Sequence, residues 1–239
     1  DAFAIGTIGK DAAPYLEWMK KNNIDTSYIR TIDDSYTAQA YITTDQNANQ
    51  ITTFHPGAMQ FSNQIDIPND QSINLGLISP DGREGMLTHT KQLIEMNIPY
   101  IFDPGQGMPM FNKDELKFFS DNSMWIVMND YEFKMYNEIT GLSVKDLVET
   151  NKTIIITNGE KGSKIFSPEQ ELSIPTPKVN EPKDPTGCGD AYRAGMIYGI
   201  SKNMSLEKIG ELSSKLGALK VKTFGTQNHQ ITEEIKKLL

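Results

Sequence analysis

The stretch KDPTGCGDAYRAGMIYGI, residues 183–200, sets three small residues, Gly187, Cys188 and Gly189, directly before the carboxylate of Asp190. The run behind it is almost wholly apolar, with Arg193 its only charge. Glycines let consecutive backbone N–H groups converge, and a helix opening behind them adds the positive end of its dipole. Such a mouth binds an anion, phosphate foremost. A static phosphate would repel a carboxylate, so Asp190 needs a second task there. Taking the proton from an attacking hydroxyl during phosphoryl transfer is one that fits. The plainer alternative is an ordinary helix N-cap with a glycine-rich lead-in.

The segments ISPDG, IFDPG, IVMNDYE and IIITNGEKG punctuate the chain alike, each an apolar run followed at once by Asp, Asn or Ser/Thr and usually glycine. In an open parallel sheet those ends share one edge, where ligands bind in the crevice. Taken singly, each is also a turn that caps the next helix.

The elements that must hold these residues alternate along the chain. Apolar periodicity predicts strands at 2–8, 75–79, 100–102, 125–128 and 153–156, and helices at 11–22, 84–96, 114–121 and 131–137. Residues 37–54 break the rhythm with apolar and polar residues in alternation around a polar turn at 45–49, which reads as a hairpin. A second hairpin is expected at 164–166 and 171–174. Two helices are expected to close the chain, the last with Leu206, Ile209, Leu212, Leu216 and Leu219 at helical spacing. The expected fold is α/β: one domain over 1–239 with a doubly wound, mostly parallel sheet and a hairpin excursion at 36–55.

Composition narrows the partners. A net charge of -8 argues against nucleic acid or an anionic membrane surface, yet not against nucleotides, which backbone amides and metal ions hold. A single cysteine excludes an internal disulfide and suits a reducing cytoplasm, and no apolar run nears the ~18 residues of a membrane span. The familiar phosphate motifs are absent. GTIGKD has Ala4 where a P-loop needs its first glycine and Asp11 where it needs Ser or Thr; GCGDAY has Tyr192 where a dinucleotide fingerprint needs glycine.

DPTGCGDAYRAGMI resembles the C-terminal signature of the ribokinase-like (PfkB) carbohydrate kinases; NDYE is similar to their Asn-x-x-Glu motif and TNGEKGS to their nucleotide loop. FHPGAM, SPDGREGM, FDPGQGMPMF and GTQNH further resemble the bacterial adenosine-kinase-like branch. The resemblance implies a ribokinase-like fold and ATP-dependent transfer of the γ-phosphate to a primary hydroxyl of a nucleoside or sugar. It also implies roles. Asp190 would be the general base, and the amides of Gly187, Cys188 and Gly189 the anion hole. Asn129 and Glu132 would order Mg2+ and its waters. Thr157, Gly159 and Gly162 would line the ATP loop, with Gly225 and Asn228 of GTQNH beside the adenine. Asp184 would help hold a monovalent cation such as K+. Cys188 stands where the family has alanine, which simple steric tolerance explains. The family's N-terminal portion, with part of the lid and a Gly-Gly substrate motif, is expected to be missing here, leaving the 36–55 hairpin as a partial lid; a truncated, non-catalytic nucleotide-binding module is the rival reading.

Among the histidines, His55 lies where the first hairpin returns and is a candidate substrate contact, against a plain turn residue. His89 is expected to be solvated on a polar helix. His55, His89 and His229 show no metal-ligand spacing. Tyr192 and Tyr198 are expected in the core, and Asp103 either faces the crevice or serves an Asp-Pro-Gly turn.

Overall fold

A computed structural model describes residues 2–44 and 50–238. The chain divides into two compact units, Asp1–Tyr100 with Gln106–Glu115, and Ile101–Gly105 with Leu116–Leu239.

In the first unit, strand β1 (Gly6–Gly9) pairs in parallel with β2 (Ile29–Ile32), and helix α1 (Ala13–Lys21) joins them. Pro14 opens α1, where a missing N–H loses no bond. The expected strand at 2–8 starts later, and Phe3 makes only an isolated bridge to Asp25. A Cβ on Gly9 would lie 2.2 Å from the Tyr36 carbonyl carbon, so two backbones meet there at a distance that only glycine allows.

The first hairpin, β3 (Gln39–Thr44) with β4 (Gln50–His55), forms an antiparallel sheet of its own, with Ala40 opposite Phe54 and Tyr41 opposite Thr53. The expected turn at 45–49 lies outside the described residues. Tyr41, Ile42, Ile51 and Phe54 are all exposed. A 3₁₀ turn over Gly57–Gln64, strand β5 (Gly76–Ile78) and helix α2 (Arg83–Glu95) follow. Helix α2 buries Met86, His89, Thr90 and Leu93, one face at helical spacing. His89 is therefore not solvated: its Nε2 bonds to the Ile65 carbonyl at 2.8 Å. A buried imidazole with its polar edge satisfied behaves as core.

The second unit places Ile101 and Phe102 of β6 (Tyr100–Phe102), β7 (Trp125–Asn129) and β8 (Thr153–Thr157) side by side in parallel, then β9 (Ser163–Phe166) and β10 (Glu171–Ile174) in antiparallel. Ile126, Ile154, Ile155 and Ile165 are fully buried. Continuous apolar strands are what a parallel sheet covered on both faces requires. Helices α3 (Lys113–Asn122), α4 (Asp130–Thr140), α5 (Val144–Val148), α6 (Cys188–Ser201), α7 (Leu206–Lys220) and α8 (Glu233–Lys236) complete the chain. The α/β, mostly parallel architecture is the expected one; β2, α5 and α8 are additions to it.

Helices α6 and α7 run antiparallel with almost nothing between them. A Cβ on Gly195 would sit 2.8 Å from Ser213 Cα, one on Gly199 2.7 Å from Ile209, and Gly217 faces the Cys188 carbonyl. Ala191, Leu212, Leu216 and Ile235 seal this seam. Tyr192 is buried as expected, its hydroxyl 2.8 Å from Ser163 Oγ. No helix among the described residues is long and apolar enough to cross a membrane.

Candidate active site

The three parallel strands of the second unit deliver polar residues to one edge. Asp103 follows β6, Asn129 ends β7 and Thr157 ends β8, and Asn129 and Thr157 are direct cross-strand partners. The expected clustering at the carboxyl ends of the strands is thus present for these three.

Asp103 is almost out of solvent, its side chain 2% exposed, and it accepts a hydrogen bond from Arg193 Nε. Burial pushes its carboxyl up to about 6; the Arg193 guanidinium pulls the other way, and the Glu132 and Asp190 carboxylates add to the rise. Four charged groups from three elements therefore feel one another at this edge. Arg193 also lies 3.8 Å from Asp190 Oδ1, one helical turn away. Gly189 makes room for it: a Cβ there would sit 2.6 Å from Arg193 Nη1.

Helix α6 begins without a side-chain cap. Its N-cap residue is Gly187 at φ +86°, a left-handed conformation that residues with a side chain rarely adopt. Gly187 O accepts from Ala191 N at 3.0 Å, and Cys188 N donates to Pro185 O at 3.1 Å. The Cys188 amide is therefore occupied, contrary to its expected place in an anion hole. Among the described residues the amides of Gly187 and Gly189 form no such bond. Asp190, in the first turn, has a side chain 79% exposed. Its side chain does not cap the helix, whose N-cap is the glycine itself. Burial pushes the Cys188 thiol up, away from the reactive thiolate, which fits a merely tolerated side chain.

The turn before α6 is tied to the segment after α7. Asp184 Oδ1 accepts from Thr186 N and Oδ2 from Gly225 N, both at 2.9 Å. These bonds, the Thr186 amide foremost, hold the Asp184 carboxyl below its ordinary range. Thr226 backs onto Gly187, where a Cβ would meet it at 3.2 Å. The expected monovalent cation at Asp184 does not fit. The fully buried ammonium of Lys220 already sits there, 2.8 Å from Asp184 O and 3.7 Å from Oδ2.

Asn129 and Glu132 form a capping box on α4: Asn129 Oδ1 accepts from Glu132 N, and Glu132 Oε2 accepts from Asn129 N, each at 2.8 Å. Glu132 Oε1 is left over. Among the described residues no group of three or more His, Cys, Asp or Glu could hold a metal by itself. Thr157 leads into a short 3₁₀ turn, Gly159–Lys161, with Gly159 at φ +51° and Gly162 at φ +94°. A Cβ on Gly162 would lie 2.1 Å from Ile174 O. Gly225, at φ +79°, packs on Asn228, whose Nδ2 donates to Phe224 O at 2.9 Å. His55 lies on β4 of the first unit, exposed and opposite Gln39. All the other candidates belong to the second unit.

Two side chains that tie this site together are not singled out as site residues by sequence reasoning. Arg193 is visible there only as a lone charge in an apolar run. Lys220 continues the buried face of α7 four residues after Leu216, and a lysine on such a face is the available signal.

Comparison with known proteins fits these observations. A nucleoside kinase of Methanocaldococcus jannaschii is 29% identical over 228 residues, covering 93% of this chain and 75% of the relative. A ribokinase of Bacillus subtilis is 24% identical over 250 residues, covering 99% of this chain and 81% of the relative. The structure of a Burkholderia thailandensis nucleoside kinase in complex with inosine superposes with a TM-score of 0.96 at 40% identity, covering all of this chain and 80% of that one. The pfkB family carbohydrate kinase model matches residues 1–233, and the chain belongs to that family.

Proposed function

We propose that this protein transfers the γ-phosphate of ATP to a primary hydroxyl of a nucleoside. The observation that carries the reading is the mouth of α6: an uncapped helix N-terminus, a left-handed glycine ahead of it, and an exposed carboxylate in its first turn. Asp190 removes the proton of the attacking hydroxyl. That oxygen forms its bond to the γ-phosphorus as the bond to the β-phosphate oxygen breaks, and ADP leaves. The Gly187 and Gly189 amides and the helix dipole face the charge on the equatorial oxygens. Arg193, bonded to Asp103 and beside Asp190, holds the carboxylate's position in the turn.

The free Glu132 oxygen suits a Mg2+ bound through one carboxylate, waters and phosphates. When bound, the ion neutralises charge on the β- and γ-phosphates. Thr157, Gly159, Gly162, Gly225 and Asn228 are assigned to the nucleotide. In this reading the 36–55 hairpin, with its exposed Tyr41, Ile42, Ile51 and Phe54, is the remaining part of a lid, and His55 is a substrate contact. A free thiol at Cys188 suits the reducing cytoplasm.

A nucleoside acceptor is favoured over a free sugar because relatives named nucleoside kinase are 40% and 29% identical, against 24% for the ribokinase. ADP release measured across a panel of nucleosides and sugars tests this choice; turnover of free sugars alone would replace it. Asp190→Asn is expected to leave ATP binding nearly intact while turnover falls by ~10²–10⁴, the usual weight of a general base. Unchanged turnover would remove Asp190 from that role.

A further inference from the structure

Lys220 ends α7 with its side chain wholly buried. Its Nζ donates to the backbone carbonyl of Asp184 at 2.8 Å and to that of Thr223 at 3.4 Å, and lies 3.7 Å from Asp184 Oδ2. Two carbonyls and a carboxylate, gathered from two loops, are the donors a hard monovalent cation would take. Here the positive charge arrives on a side chain.

The oxygens it gathers belong to the segments that shape the mouth of α6. The carboxylate of Asp184 fixes the Thr186 and Gly225 amides, and Thr226 packs on the left-handed Gly187. The Asp184 carbonyl also accepts a weak bond from Cys188 Sγ, the first residue of the helix. A buried charge is tolerated only when it is paired and hydrogen-bonded, and this one is held by the loops it orders. Its field extends on to the loop carrying the proposed adenine contacts: burial lowers the proton affinity of His229, and Lys220 lowers it further.

We propose that Lys220 is a built-in monovalent cation, a positioning residue that fixes the turn 184–187 against the loop 223–226 and so makes this kinase independent of added K+. This rests on the phosphoryl-transfer reading above. Removing the amine leaves a cavity lined by the same oxygens, into which K+ or NH4+ fits.

The test compares wild type, Lys220→Ala and Lys220→Met in KCl, NH4Cl and choline chloride at matched ionic strength, reading both the thermal unfolding midpoint and ADP release. Wild type is expected to show the same midpoint and turnover in all three salts. Lys220→Ala is expected to lose about 10²-fold in kcat with a smaller change in KM, the scale seen when an oxyanion donor is mispositioned. K+ or NH4+, but not choline, then raises both its midpoint and its turnover. Lys220→Met fills the cavity without charge and is expected to respond to neither ion. A wild-type midpoint or turnover that rises several-fold or several degrees on replacing choline by K+ overturns the proposal, as does a Lys220→Ala midpoint indifferent to the salt. The unfolding arm stands without catalysis, so a wild type that turns over no acceptor overturns the kinase reading alone. If neither variant folds, the wild-type comparison across salts decides.

Discussion

Replacing Arg193 by Met removes the guanidinium bonded to a carboxylate that has almost no access to water. Asp103 is 2% exposed and Arg193 20%. Raising a carboxyl from 3.8 in the unfolded chain to about 6 in the folded one corresponds to roughly 3 kcal/mol. The sign follows from linkage. Because the folded value is the higher one, Asp103 contributes fully to stability below about pH 4, and that contribution is lost as pH rises through 6. Without Arg193 the carboxyl rises further, so the loss continues above neutrality. Breaking one partner of a buried pair costs ~3–5 kcal/mol, and the residual exposure of Arg193 places this case at the low end, about 3 kcal/mol at pH 8. At pH 5 Asp103 is largely protonated in both proteins, and only the packing of the arginine stem is lost, about 1 kcal/mol. Urea unfolding at pH 5 and pH 8 measures the difference. A Trp18→Phe background makes Trp125, buried on β7 of the same unit, the sole tryptophan, read by excitation beyond the tyrosine band. Adding Asp103→Asn to Arg193→Met is expected to recover most of the pH 8 loss. Equal losses at the two pH values, or no recovery in the double variant, would refute the account.

Two further outcomes are expected. Gly187→Ala forces φ +86° on a residue with a Cβ and brings it to 3.2 Å from Thr226; turnover should drop about 10²-fold, with a stability loss of ~1–2 kcal/mol, read by ADP release and calorimetry. Tyr136→Phe removes a buried hydroxyl that donates to Ser120 Oγ at 2.6 Å. It should lower stability by about 1 kcal/mol without altering turnover, since Ser120 keeps its bond to the Lys117 carbonyl.

What is legible in advance follows from local rules. Apolar runs ending in Asp, Asn or Thr mark β6, β7 and β8 within a residue, because strands buried on both faces write themselves as unbroken hydrophobic stretches. Asn129 and Glu132 are legible as a pair through the likeness of NDYE to the Asn-x-x-Glu motif, whereas the capping box they form is seen only in the structure. Other features obey no such rule. In β2 the two isoleucines lie at the ends with Arg30 and Thr31 exposed between them, so no alternation betrays a strand. His89 reads as a surface residue because α2 is polar overall, although Met86, His89, Thr90 and Leu93 do share a face. Lys220 and Asp184 are 36 residues apart, and nothing local announces a bond across that distance. The engagement of the Cys188 amide depends on how tightly the Pro185 turn closes, which glycine content alone does not determine.

The glycine seam between α6 and α7 has a mechanical corollary. Cys188 begins one helix beside Gly217, near the end of the other, so Asp190 and Lys220 ride on the same end of a pair whose backbones nearly touch. With no side chains there to act as shims, a methyl group grafted at Gly195, two turns along, would pry the rods apart and swing the end that carries Asp190 and Lys220 like a lever. Tolerance to substitution on this pair should therefore track the gap between the rods more closely than distance from Asp190.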